Sequence, residues 1–220
     1  MPTVLVTAGP TREHLDEVRF LTNASTGRMG YAIAAAAHAA GCEVVLVTGP
    51  THLTPPAGVT DVQVVSALEM LAACERALAR ADIVFGVAAV ADHRPRARHA
   101  GKPAKNDAPY SLELVPNPDI LASLARVKGR RVFVGFSLDA QAADASAQRE
   151  RARRKLERKG LDLIVVNDSS ALGAERSAVT VLDAGGHDYA LPPQDKEATA
   201  AWLVQLALAR WRTRVDEASP

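Results

Sequence analysis

Charge of one sign is what this 220-residue sequence lacks first: 26 Lys and Arg stand against 25 Asp and Glu, a formal net charge of +1. So even a balance supplies no sequence-independent hold on a nucleic acid, and any anion site must be local. Long apolar runs are missing too; stretches such as 31–40 and 83–91 fall well short of the roughly 20 residues that a membrane span needs. The opening segment from Met1 to Thr7 has neither the basic region nor the cleavage site of a secretory signal and reads as a strand, so a cytoplasmic location is expected. Cysteine is scarce. Cys42 and Cys74 form no Cys-x-x-Cys or metal-like spacing and lie in apolar patterns, which predicts two buried, reduced thiols. His14, His38, His52, His93, His99 and His187 are scattered, and no zinc site is expected from them.

What is present is 48% hydrophobic content, enough for one core in a single domain over residues 1–220. Val4-Leu5-Val6, stopped by Thr7-Ala8-Gly9-Pro10-Thr11, has the form of a buried parallel strand. Further strands are predicted at Val44–Val47, Val62–Val65, Ile83–Val87, Val132–Phe136 and Leu163–Val166, and helices over about Met29–Ala40 and Ala67–Ala79 and in a basic stretch ending near Lys159. Ser66 and Glu69 make a capping box for the second helix. Alternating strands and helices require long crossovers, and the fold class expected is α/β, a Rossmann-like, mostly parallel sheet with helices on both faces. Residues 93–115 depart from the repeat and form an expected flap or dimerisation segment, with a strand candidate at Ser111–Val115. Residues 178–191 suggest a hairpin around Ala184-Gly185-Gly186.

Ligands of open α/β sheets bind beyond the carboxyl ends of the strands. After the first strand, Gly9 and Gly27 are too far apart for a dinucleotide fingerprint. Ser25, Gly27 and Gly30 nevertheless open a helix, where free N–H groups favour an anion, and Arg28 adds charge; an N-cap with close-packing glycines explains the same residues equally well. The second strand ends in Thr48-Gly49 without an acid for a ribose, and no tyrosine has a lysine four residues on, so hydride chemistry is disfavoured.

The run Val6-Thr7-Ala8-Gly9-Pro10-Thr11-Arg12-Glu13, then Val18-Arg19-Phe20-Leu21-Thr22-Asn23 and Ser25-Thr26-Gly27-Arg28-Met29-Gly30, resembles the opening of the phosphopantothenoylcysteine synthetase family. Ala88-Ala89-Val90-Ala91-Asp92, Asn117-Pro118-Asp119-Ile120-Leu121, Gly135-Phe136, Lys155–Lys159 and Leu161–Asp168 resemble later parts of the same family, in order, over about residues 3–208. In many bacteria this domain follows a flavin-dependent decarboxylase in one chain; no flavin is expected here, and association with a separate decarboxylase stays open. The resemblance implies a ligase that joins L-cysteine to 4'-phosphopantothenate through an acyl-nucleotidylate, with CTP as co-substrate, although the sequence does not decide CTP against ATP. Magnesium is implied as the companion of the triphosphate.

By the same resemblance Asn23 and Lys102 are catalytic, Lys102 on the α-phosphate, and Lys105 follows in a departure from the family's pattern at Pro103-Ala104. Arg19, Asn23, Ala88, Ala89 and Asp92 are implied to bind the phosphopantothenate side, Arg19 from a neighbouring subunit. The nucleotide is implied to meet Gly9, Ser25, Gly27, Gly30, Gly86, Asp92, Lys102, Pro118, Asp119, Ile120, Leu121, Phe136, Lys155, Lys159 and Asn167. Gly135-Phe136-Ser137-Leu138-Asp139-Ala140 departs from the family's usual continuation, with Asp139 standing near a glutamate's place. A homodimer is expected, with Ser111–Val115 at its interface. A nucleotide-dependent oxidoreductase and a catalytically silent relative are the alternatives, the latter marked by loss of Asn23 or Lys102, both of which are present.

Overall fold

In the computed structural model, which describes residues 1–101, 111–138, 144–167 and 176–217, apolar runs and polar turns resolve into twelve strands and five helices. Along the chain these are β1 (Thr3–Ala8), β2 (Arg12–His14), β3 (Phe20–Thr22), α1 (Arg28–Ala39), β4 (Glu43–Thr48), β5 (Thr60–Gln63), α2 (Ala67–Leu78) and β6 (Ile83–Gly86). There follow β7 (His93–Pro95), β8 (Leu114–Pro116), α3 (Ile120–Ala125), β9 (Val132–Leu138), α4 (Ala145–Lys159), β10 (Leu163–Asn167), β11 (Arg176–Asp183), β12 (Asp188–Asp195) and α5 (Lys196–Asp216).

The main sheet runs β12-β11-β10-β9-β6-β1-β4-β5. Strands β10, β9, β6, β1, β4 and β5 are parallel, and β11 and β12 join antiparallel. In order of appearance the parallel strands lie third, second, first, fourth, fifth and sixth, the doubly wound order whose direction of winding reverses between β1 and β6. The Rossmann-like expectation is met.

Strand pleating divides the core into two layers, because successive side chains point to opposite faces. Val4 and Val6 pack with Ile33, Ala34 and Ala37 of α1 and Leu203, Val204 and Ala207 of α5. Leu5 faces the other way, with Met70 and Cys74 of α2, Ile120 and Leu124 of α3 and Leu156 of α4. Both cysteines are free and buried; burial pushes the Cys74 thiol up to about 12 and raises that of Cys42, which keeps both as unreactive thiols.

Local signals set the helix ends. Ser66 Oγ accepts from Glu69 N–H at 3.3 Å while the Glu69 carboxylate reaches back to Val65 N–H at 2.7 Å, one residue before the N–H that a capping box uses. Asp144 caps α4 and Gly160, at φ 64°, ends it. Helix α5, opened by Asp195, is fastened to the sheet by Arg214, which donates to the Asp162 carboxylate and to Arg131 O.

Three boundaries differ from the sequence expectation. Strand β5 stops at Gln63 because Val65 gives its N–H to Glu69 and its carbonyl to Arg12 N–H, leaving nothing for β4. The strand expected at Ser111–Val115 is instead Leu114–Pro116, paired with β7 as Arg94↔Val115 and Pro95↔Leu114. The hairpin is longer than 178–191, and its register shifts between Ser177 and Val179, opposite Pro192 and Pro193, which have no N–H for the ladder.

Candidate active site

Strand β1 ends in a turn that only glycine fits: Gly9 has φ +72°, and a Cβ there would come within 2.9 Å of Thr51 Cγ2. The chain then leaves the sheet as the β2–β3 ribbon before α1 brings it back. Gly27, the α1 N-cap at φ +80°, has no side-chain cap bond, and Ser25 Oγ accepts from Gly27 N–H at 3.3 Å. Gly30 lies so close to β1 that a Cβ would sit 2.5 Å from Ala8 Cβ and 3.1 Å from Thr7 O. Gly27 and Gly30 thus dock α1 against β1.

The next strand exit, after β6, carries the loop 87–91. Asn23 reaches across to it, Nδ2 donating to Ala89 O at 3.0 Å and Val90 O at 3.1 Å. This fixes how the predicted Asn23, Ala88 and Ala89 sit relative to one another. Arg19 lies on the ribbon loop, its Nε donating to Asp16 Oδ2 at 2.7 Å; the Asp16 carboxylate also accepts the N–H groups of Val18 and Arg19. Asp16 is 0% exposed. Burial alone would raise its pKa, but the bonds from the Arg19 and Val18 N–H groups and the Arg19 guanidinium outweigh that and hold it down to about 2.

A cavity of about 230 Å³ opens over the carboxyl ends of β6 and β9. It gathers much of the predicted nucleotide set, Gly86, Asp92, Pro118–Leu121, Phe136 and Lys159, together with Ala88 of the predicted phosphopantothenate set. Asp119 caps α3, its side chain accepting from Ala122 N–H at 3.0 Å, and also pairs with Lys159 Nζ at 2.8 Å, so one carboxylate fixes both the helix start and the cation beside it. Lys155, one turn earlier on α4, donates to Ser137 Oγ at 2.9 Å, at the same end of β9. Asn167, at the end of β10, is outside the cavity wall, and its Oδ1 is buried without a partner among the described residues. Gly9, Ser25, Gly27 and Gly30 stand on the β1 side and do not line this cavity. Lys102, Lys105 and Asp139 lie outside the described residues.

Sequence reading missed Asn117 as a site residue. It joins the cavity to the flap: Nδ2 donates to Ala91 O at 2.8 Å, Oδ1 accepts from Arg94 Nη1 at 3.1 Å, and its main-chain N–H donates to Asp92 O at 2.8 Å. Its place before Pro118 was the available signal. A second cavity, about 370 Å³, lies under β2 and β7, walled by Arg12, His14, Ser66, Arg94 and Arg98. It is larger but sits away from the strand ends and contains none of the predicted site residues, so the smaller cavity is the better candidate. Among the described residues no three His, Cys, Asp or Glu side chains converge on a point, and no helix is long and apolar enough to cross a membrane.

Comparison with known proteins agrees with this fold. The model of the DNA/pantothenate metabolism flavoprotein C-terminal domain matches residues 2–210. The Coenzyme A biosynthesis bifunctional protein CoaBC of Vibrio cholerae is 41% identical over 210 residues, 92% of this chain and 51% of that protein. Its counterpart in Bacillus subtilis is 42% identical over 198 residues, 88% of this chain and 48% of that one. The chain spans about half the length of the curated relatives that it matches. The crystal structure of the C-terminal domain of a CoaBC protein superposes with TM-score 0.81 at 38% identity, covering 94% of this chain and 95% of that one. A Cab2 mutant in complex with phosphopantothenate-cysteine shares the fold, with TM-score 0.79 at 18% identity over 98% of this chain and 88% of that one. With a family model matched over nearly its whole length and relatives above 40% identity, the chain belongs to the family of the DNA/pantothenate metabolism flavoprotein C-terminal domain.

Proposed function

We propose that the chain is a phosphopantothenoylcysteine synthetase that activates the carboxylate of 4'-phosphopantothenate with CTP and joins it to L-cysteine. The observation that carries this reading is the cavity at the β6 and β9 ends, where the first turn of α3, Phe136, Asp92 and Lys159 line one cleft beside the Asn23–Ala89 contact. The substrate carboxylate attacks the α-phosphate, the bond to the β-phosphate breaks, and pyrophosphate leaves. Cysteine's amine then attacks the acyl carbon, loses a proton, and expels the nucleoside monophosphate.

In this scheme Lys159 and Lys155 neutralise phosphate charge, and Lys102 stabilises the charge that builds on the α-phosphate. Phe136 offers a ring face to the base, and Asp92 an acceptor for a hydroxyl. Asn23, an amide that does not titrate, holds the acyl-nucleotidylate against the Ala88-Ala89 segment, while Arg19 addresses the phosphate of phosphopantothenate. Magnesium travels with the triphosphate and adds Lewis-acid stabilisation there; the cavity carboxylates are Asp92 and Asp119, the latter already shared with Lys159, so phosphate oxygens and water would hold it. A homodimer fits the exposed Val18 and Phe20 of the β2–β3 ribbon and Leu114 on β8, apolar side chains that a partner would cover. Association with a phosphopantothenoylcysteine decarboxylase and a cytoplasmic location complete the reading.

The test is pyrophosphate release by purified protein with magnesium, 4'-phosphopantothenate and either CTP or ATP, with and without cysteine, set beside Lys102→Gln. Cysteine-dependent turnover that favours CTP and falls by about a hundredfold or more in the variant is expected. No release from folded wild-type protein with either nucleotide would overturn the reading.

A further inference from the structure

The loop 87–91 has neither helix nor strand of its own to satisfy its main chain, yet seven of its ten main-chain polar groups are bonded, and the partners come from other segments. Thr7 Oγ1, 5% exposed at the end of β1, accepts from Val87 N–H at 3.1 Å and Ala88 N–H at 3.2 Å. Its oxygen lies 3.5 Å from Phe85 O, to which the hydroxyl donates. Thr11 Oγ1, in a residue with 0% exposure, accepts from Ala91 N–H at 3.0 Å. Between them, Ala89 N–H donates to Gly9 O at 2.9 Å and Ala89 O accepts from Thr11 N–H at 3.3 Å, which makes Pro10↔Ala89 a parallel bridge. Asn23 and Asn117 take the carbonyls of Ala89, Val90 and Ala91.

This arrangement closes the crevice between β1 and β6. In a doubly wound sheet that crevice is where a dinucleotide would enter. Here the two strand exits continue to pair through Pro10 and Ala89, and the open space lies over β6 and β9, with Thr7 on its β1 wall. Thr7 and Thr11 therefore act on the neighbouring loop rather than standing free for a phosphate.

We infer that Thr7 and Thr11 are positioning residues: their hydroxyls suspend the loop 87–91, so that Ala88 and Ala89 and the cavity rim from Val90 to Asp92 meet the ligands in one fixed shape. The kinetic side of this inference rests on the synthetase reading; the structural side does not. Each hydroxyl takes donors that water cannot replace at a buried position, and valine keeps the shape of threonine while removing the acceptor. Serine restores the oxygen with less volume.

The experiment compares Thr11→Val with Thr11→Ser, and Thr7→Val with Thr7→Ser, each confirmed folded by its near-ultraviolet spectrum. Two quantities are read: amide hydrogen exchange by NMR, and steady-state kinetics with 4'-phosphopantothenate, CTP and cysteine. In Thr11→Val the Ala91 amide is expected to exchange about tenfold faster or more, and in Thr7→Val those of Val87 and Ala88, with exchange near wild type in the serine variants. KM for 4'-phosphopantothenate should rise about tenfold in the valine variants, a change equivalent to one lost interaction, and serine should rescue most of it. Should one valine variant fail to fold, the pair at the other threonine carries the test. Unaltered exchange in the valine variants overturns the suspension. Faster exchange with unchanged KM and kcat overturns the positioning role, and valine defects that serine does not rescue assign the effect to shape instead of the hydroxyl. Absence of turnover in wild type overturns the synthetase reading, and the exchange result then decides the suspension by itself.

Discussion

The exits of β1 and β9, on either side of β6, are built in opposite ways. Around β1 the main chain is satisfied by the protein itself: threonine hydroxyls, the Asn23 amide and the Pro10–Ala89 bridge tie one loop to the next, and Gly30 lets α1 lie directly on Ala8. Beside β9 the layer thins. Gly86 and Gly135 face only the branched ends of Leu121 and Leu161 in their nearest contacts, and a cavity remains beside the Asp119–Lys159 pair. Such a sheet keeps its rigid junction where strand order reverses and its room one strand away, so rigidity and ligand space need not coincide at the topological switch point.

Placing the same methyl group on each side breaks the comparison most directly. Gly30→Ala brings a Cβ to 2.5 Å from Ala8 Cβ with the backbone of β1 behind it. Despite alanine's better helix propensity, a net loss of about 2 kcal/mol in urea unfolding is expected; equal or greater stability would show that α1 can shift off β1 at little cost. Gly86→Ala meets Leu121 Cδ2 at 2.8 Å and Cδ1 at 2.9 Å, the flexible end of a side chain. Its stability should change by less than about 1 kcal/mol, while nucleotide binding weakens about tenfold because the methyl and the displaced leucine enter the cavity. Titration calorimetry with CTP checks this, and undiminished affinity would place the nucleotide elsewhere.

The smallest effect concerns the tip of the β2–β3 excursion and appears only in acid. Asp16 holds a pKa of about 2 against an ordinary 3.8, so its ionised form stabilises the fold above the ordinary value, and that contribution drains away as pH falls from there toward 2. Asp16→Asn removes this titration. Urea midpoints should therefore fall less steeply for the variant than for wild type between about pH 5 and pH 2, and parallel slopes would deny the Asp16 bonds any weight in folding.

Much of the fold was legible from the sequence because the parallel strands are short apolar runs closed by turn residues, such as Val4-Leu5-Val6 before Thr7 and Ile83-Val84-Phe85 before Gly86. What periodicity did not carry was partnership. The spacing of Ala200, Leu203, Val204 and Ala207 marks a helical stripe, but nothing in it says that α5 closes over α1. At the site, Asn117–Leu121 was legible as the start of a helix, although Pro118 and Asp119 precede the first turn, Asp119 as its N-cap. The work of Thr7, Thr11 and Asp16 was not, since a threonine at a strand end or an aspartate before Glu17-Val18 reads as turn chemistry until its burial and its distant donors are seen.

Pro192 and Pro193 have a consequence beyond the register of their hairpin. Strand β12 is an outer boundary of the sheet, and an open row of N–H and C=O groups there would invite another chain to add on and start aggregation. Two adjacent residues without N–H, set at an irregularity, interrupt that row and blunt the template. Association of copies is thereby steered away from sheet extension, which leaves self-assembly to surfaces elsewhere on the molecule.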